Sequence, residues 1–241
     1  MSTTEDRSDA VTDAGLPASS PARTPARTGG SSPAPRSRRR SIRAAAPLWQ
    51  WRTVDLLTTA FLGAAFGVAY WAWGLAYAAP ATGLEAVFPP LQGVTGAPWL
   101  VAGVIGGLVI RRPGAALGCE VVAALVSMLP GTKWGTATLV SGVLQGLGAE
   151  LAFLLLGYAV FGVGAALLAG ALAAPLEAVY EWGTYWTDWG MGYKLAYGAI
   201  LTVSGAVVAG GLGWLLTRGL ARAGALNAFP PGQEVREQRA V

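Results

Sequence analysis

Six stretches of this chain, at about residues 54–77, 91–110, 115–129, 136–158, 163–180 and 195–216, are too long and too apolar to belong in water. A hydrocarbon layer of about 30 Å takes roughly 20 apolar residues in helical form. Inside it every backbone N–H and C=O must find a partner within the protein, which leaves helices or closed barrels. Runs of this length are helical, so the expected fold is an all-α integral membrane protein, a six-transmembrane-helix bundle. Only 12% of the residues are charged, against about 25% in a soluble domain, and mean hydropathy is +0.46. The second and third stretches are short, so four or five spans with a re-entrant segment is the competing count. Glycine, at 34 residues, lets membrane helices approach closely.

Charge divides the chain. Residues 1–46 are rich in Ser, Thr, Pro, Ala and Arg and lack an apolar stretch that could pack, so they read as a disordered cytoplasmic tail. Their acidic and polar start and the late first apolar run do not fit a cleavable leader. Residues 47–223 form the membrane domain and 224–241 a C-terminal cytoplasmic tail. Arg36, Arg38, Arg39, Arg40, Arg43 and Arg52 precede the first span, Arg111 and Arg112 the third, and Arg218 and Arg222 follow the sixth. The opposite loops hold only Lys133 and Lys194. Basic loops stay on the cytoplasmic side, so both termini are expected inside. The basic run is better explained by this flank than by nucleic acid. Asp55 and Thr53 are the expected N-caps of the first span.

The chemistry lies in a few polar residues. Glu120 and Glu150 stand inside the third and fourth spans, at what helix arithmetic makes similar depths. An intramembrane carboxylate is costly and marks a substrate path, a proton site or a structural hydrogen bond. Gln145 precedes Glu150 on the same helix. Glu177 and Glu181, four apart, share a face near the end of the fifth span. Tyr180, Trp182, Tyr185, Trp186 and Trp189 crowd that region. Trp71, Trp73 and Tyr77 end the first span and Trp134 starts the fourth. Such rings fit an interfacial belt. With carboxylates beside them they also form a box for a flat, cationic, nitrogen-rich molecule.

The chain has no histidine and one cysteine, Cys119. That removes the usual metal ligands and the usual neutral-pH base. No phosphate loop, Ser-His pair or metal-ligand spacing occurs, so neither an enzyme nor a resident cofactor is expected. A stand-alone proton-coupled carrier or channel using Glu120 and Glu150 is the alternative to a binding component. Ala60 and Ala64, and Gly63 and Gly67, give the first span small-residue faces that suit internal packing or a partner helix.

Several segments resemble the YkoE-like family. They are Val54-Asp55-Leu56-Leu57 and Tyr70-Trp71-Ala72-Trp73 in the first span, Arg111-Arg112-Pro113-Gly114, Glu120-Val121-Val122-Ala123-Ala124, and Ser141-Gly142-Val143-Leu144-Gln145-Gly146-Leu147-Gly148-Ala149-Glu150. The family comprises substrate-binding S components of energy-coupling factor (ECF) transporters associated with thiamine or its hydroxymethylpyrimidine precursor. The resemblance implies a six-helix S-component fold with a pocket opening outward and no ATPase in this chain. It implies docking on a transmembrane coupling subunit, the T component, driven by two ATPase subunits. Ala60, Gly63, Ala64 and Gly67 fit the docking face, and among the matching positions Glu120, Trp134, Gln145 and Glu150 are the expected ligand contacts, with Trp71, Glu177, Tyr180 and Glu181 beside them.

Overall fold

The computed structural model describes residues 48–239. The tail expected over residues 1–46 lies outside them. In chain order the elements are α1 (Thr53–Ala76), α2 (Ala78–Val87), a 3₁₀ segment (Pro89–Leu100), α3 (Val101–Ile110), α4 (Ala115–Met128), α5 (Ala137–Leu155), α6 (Val163–Thr184), α7 (Met191–Ser204), a π segment (Gly205–Leu212), α8 (Gly213–Arg222) and α9 (Pro230–Arg239). Five continuous stretches are long and apolar enough to span a membrane, and α4 is a shorter apolar sixth. The 3₁₀ segment and α3 form one span, and α7, the π segment and α8 form another.

α3 explains why so short a helix can anchor the bundle. All ten of its residues are buried, so a sequence apolar on every side is the right one for it. Leu100, Val104, Ile105, Leu108 and Val109 make the spine of the core. The prolines and glycines of PPLQGVTGAPWL do not hold an α-helix, and this run takes the tighter 3₁₀ form before α3 begins. α2 fills the gap between the first two apolar stretches. Pro80 falls in the first turn, where its missing N–H costs nothing.

Glycine makes several of the close helix contacts. On α1, a Cβ at Gly63 or Gly67 would lie 2.6 Å from the Cβ of Val122 or Val126 on α4. These two residues therefore face inward, and half of the expected partner face is internal packing. Ala60 is exposed and Ala64 half-buried, because a step of three residues turns a helix by about 60°. Gly170 on α6 meets the backbone of Gly205 and Gly210 where the π segment crosses it.

One end of the bundle is basic and tied by ions. Arg52, rather than Asp55 or Thr53, is the N-cap of α1. Asp55 sits three residues on, where its carboxylate accepts the Arg52 backbone N–H at 2.9 Å and the Arg112 Nε at 2.6 Å. Arg111, in the left-handed region at φ 56°, stacks 4.8 Å over Phe161 and pairs with both oxygens of Glu234. Glu234 belongs to α9. Beyond residue 223 the chain returns to the bundle, and Leu226, Phe229 and Val235 are buried against it.

Candidate functional site

The opposite end opens into a cavity of about 490 Å³, the size range of small-molecule sites. α1, the 3₁₀ segment, α4, α5, α6 and α7 all contribute to its walls.

Glu120 forms the floor and is 1% exposed. The 3₁₀ geometry leaves the first amides of α3 without helical partners, and Glu120 uses them. Its Oε2 accepts the Gly103 N–H at 2.6 Å. The Tyr70 hydroxyl accepts the Ala102 N–H at 2.8 Å and donates to the same Oε2 at 3.3 Å. Its Oε1 is buried with no hydrogen-bond partner. On the α6 wall, Glu177 stands beside Ser141 and Gln145, and its Oε2 also lacks a partner. One turn on, Glu181 accepts the Tyr197 hydroxyl at 2.5 Å. Gln92 Nε2 and Thr138 Oγ1, also on lining residues, are buried without partners as well. Buried polar atoms are almost always satisfied. These four, with Trp186 Nε1 on a fifth lining residue, leave open donors and acceptors around a single cavity.

Rings close the mouth. Tyr77, Trp99 and Trp134 form a triangle with centroids 5.3, 5.4 and 5.5 Å apart. Trp73 supports it, 6.2 Å from Trp99 and anchored by its Nε1 to the Thr95 carbonyl. Tyr185, just past α6, has its hydroxyl pKa pushed up to about 12 by burial and then by its neighbours Tyr180, Glu177 and Glu181, so it presents an O–H at neutral pH. Three carboxylates face the cavity, and among the described residues Lys133 is the only basic one lining it.

Of the residues singled out from sequence, Trp71, Glu120, Trp134, Gln145, Glu177 and Glu181 come together here. Tyr180 does not line the cavity. Its ring packs edge-on against Tyr185.

Glu150 is elsewhere. Gly146 on α5 faces Glu120 and Leu117, so four residues further along the chain Glu150 lies about 6 Å closer to the basic end. There its oxygens accept the backbone N–H groups of Gly114, Ala116 and Leu117 at 2.7, 2.9 and 3.2 Å, and the Tyr158 hydroxyl. Counting from helix ends put the two acids level, but the contacts put them a turn apart. Glu150 caps α4, and a path using both acids for protons loses its second station.

Tyr70, Gln92, Thr95, Trp99, Ser141 and Tyr197 also line the cavity, though the sequence did not mark them as candidate ligand contacts. Tyr70 and Tyr197 did carry a signal, each a hydroxyl well inside an apolar run.

The family model described as the permease component of an ABC-type cobalt transport system matches residues 54–176. A relative from Bacillus subtilis strain 168, YkoE, named as an HMP/thiamine permease protein, is 35% identical over 153 residues, covering 63% of this chain and 75% of the relative. The solved structure of an S component of an ECF transporter aligns with a TM-score of 0.70 at 30% identity, covering 79% of this chain and 96% of the other. A multi-pass membrane fold, a ligand-sized cavity and these similarities agree: the chain belongs to the YkoE-like family of ECF transporter S components, and is a transport protein rather than an enzyme.

Proposed function

We propose that this chain binds thiamine or its hydroxymethylpyrimidine (HMP) precursor in the cavity, from outside a bacterial plasma membrane. The observation that carries the reading is the pair of unpartnered carboxylate oxygens, Glu120 Oε1 and Glu177 Oε2, below a cage of rings. An aminopyrimidine offers N–H donors to such oxygens, and a thiazolium cation suits ring faces. The name of the Bacillus subtilis relative supports the same class. A cobalt ion, which the family description mentions, fits these residues less well. It favours imidazole and thiolate donors, and among the described residues no three His, Cys, Asp or Glu side chains group as metal ligands.

Calorimetry on the detergent-solubilised chain tests the reading. Thiamine or HMP should release heat and saturate at one site per chain. Absence of binding by thiamine, its phosphates and HMP alike rules the substrate out.

The chain then delivers its ligand by docking on a T component driven by two ATPase subunits, with the basic end cytoplasmic. Ala60 and Ala64, flanked by the exposed Leu57, Phe61 and Val68, are the docking face. Gly63 and Gly67 are spent on α4. Ala64→Trp should leave ligand affinity within about twofold and abolish uptake in cells. Normal uptake by that variant would move the docking face elsewhere.

A further inference from the structure

The ring cage at the cavity mouth already holds a cation. Lys133 Nζ lies 4.8 Å from the centroid of Tyr77 and 4.9 Å from that of Trp134, both within the roughly 6 Å over which a ring face attracts a positive charge. The three ion pairs among the described residues all lie at the other end of the molecule, so Lys133 is held here by rings alone. Its side chain is exposed and its segment lies between Gly131 and Gly135, which have φ values of 95° and 55° and no neighbouring atoms where a Cβ would stand. An ammonium on a four-carbon stem in such a turn can swing into water.

A ligand cation that reaches for the Tyr77–Trp99–Trp134 cage meets this ammonium. The two charges cannot share the same ring faces, because like charges a few ångströms apart repel. The lysine therefore has to leave before the ligand's positive ring can stack. We propose that Lys133 is a built-in competitor for the cation subsite, occupying the ring cage in the empty protein and being displaced by the positive ring of the ligand. It sets how tightly a cationic heteroaromatic is held relative to a neutral one. This rests on the substrate reading above, and goes further by assigning the mouth rings to the cationic half of the ligand and the buried acids to the neutral half.

The test compares wild type with Lys133→Met and Lys133→Arg. Calorimetry with thiamine, which is cationic, and HMP, which is neutral, gives the first readout. Lys133→Met should tighten thiamine binding by about 3- to 30-fold and leave HMP within twofold. Lys133→Arg should bind thiamine like wild type or more weakly. Unchanged or weakened thiamine binding in Lys133→Met, or an equal gain for HMP, overturns the proposal. The second readout keeps the two readings separable. Quenching of the cage indoles by 3-methylthiazolium reports on the rings even if neither vitamin compound binds. Lys133→Met should saturate at a lower concentration of this cation than wild type does, and an equal or higher concentration rejects the competitor role while leaving the substrate reading to the calorimetry.

Discussion

Glu120→Gln should weaken ligand binding by about 10- to 100-fold while the empty protein melts within a few degrees of wild type. Removing one partner of a buried hydrogen bond costs roughly 1–3 kcal/mol, and the amide keeps the size and most of the shape of the acid. The Gly103 N–H and the Tyr70 hydroxyl can still meet the amide oxygen. What is lost is the unpartnered Oε1 of a lining residue. Glu150→Gln should do the reverse. Its carboxylate gathers three backbone N–H groups at the start of α4, where a negative charge is favoured by the helix dipole. Loss of that charge should cost about 2–3 kcal/mol and lower the melting temperature with affinity within about twofold. Paired calorimetry and thermal scans on both variants decide it. If both acids affect binding equally, the cavity as drawn is wrong.

The largest effect on folding is expected at Gly170. A Cβ there would collide with the carbonyl oxygen of Gly205 and stand 2.7 Å from the Gly210 nitrogen. These are backbone atoms, so no side chain can rotate away, and the two helices would have to part. Overpacking a tight contact costs about 1–3 kcal/mol and occasionally more; for Gly170→Leu roughly 3 kcal/mol or above is expected, enough to remove most of the monodisperse protein from a size-exclusion profile. Gly211→Leu is the control, since it lies next to this crossing with nothing within 4 Å of its Cβ position. Equal yield and equal melting temperature for the two variants would show that the helices do not cross as described.

The membrane spans were legible because bilayer thickness sets their length and lipid forbids an alternative to the helix. Pro98 inside residues 91–110, with Pro89 and Pro90 just before them, marks the half of that span that is not an α-helix. The π segment had no such signal. GAVVAGGL reads as an ordinary apolar stretch, and only the crossing with Gly170 shows where the extra width falls. α9 was invisible for a related reason. PPGQEVREQR is polar in composition, and the ion pair between Glu234 and Arg111 spans 123 residues of sequence, a distance no local pattern reports.

Within the cavity, the readable residues were those whose chemistry is out of place in lipid. Glu120, Glu177 and Glu181 announce themselves by charge. Glu150 announces itself equally, and nothing local separates a carboxylate that waits for a ligand from one that caps a neighbouring helix. The difference lies in which amides are left over on the facing element. Gly103 supplies one to Glu120, but Gly114, Ala116 and Leu117 supply three to Glu150 and leave it nothing to offer.

The contrast between the two ends has a mechanical consequence. One end is stitched by Arg52, Asp55 and Arg112, and by Arg111 with Glu234, while the other is joined by rings that touch edge to face. Ion pairs hold fixed partners at fixed distances, whereas rings slide and re-tilt over a broad, shallow energy surface. The bundle is thus built like a pair of tongs, riveted at the arginines and free to spread at the tryptophans. Widening the gap between the tips leaves the rivet in place, so admitting a guest need not loosen the rest of the frame.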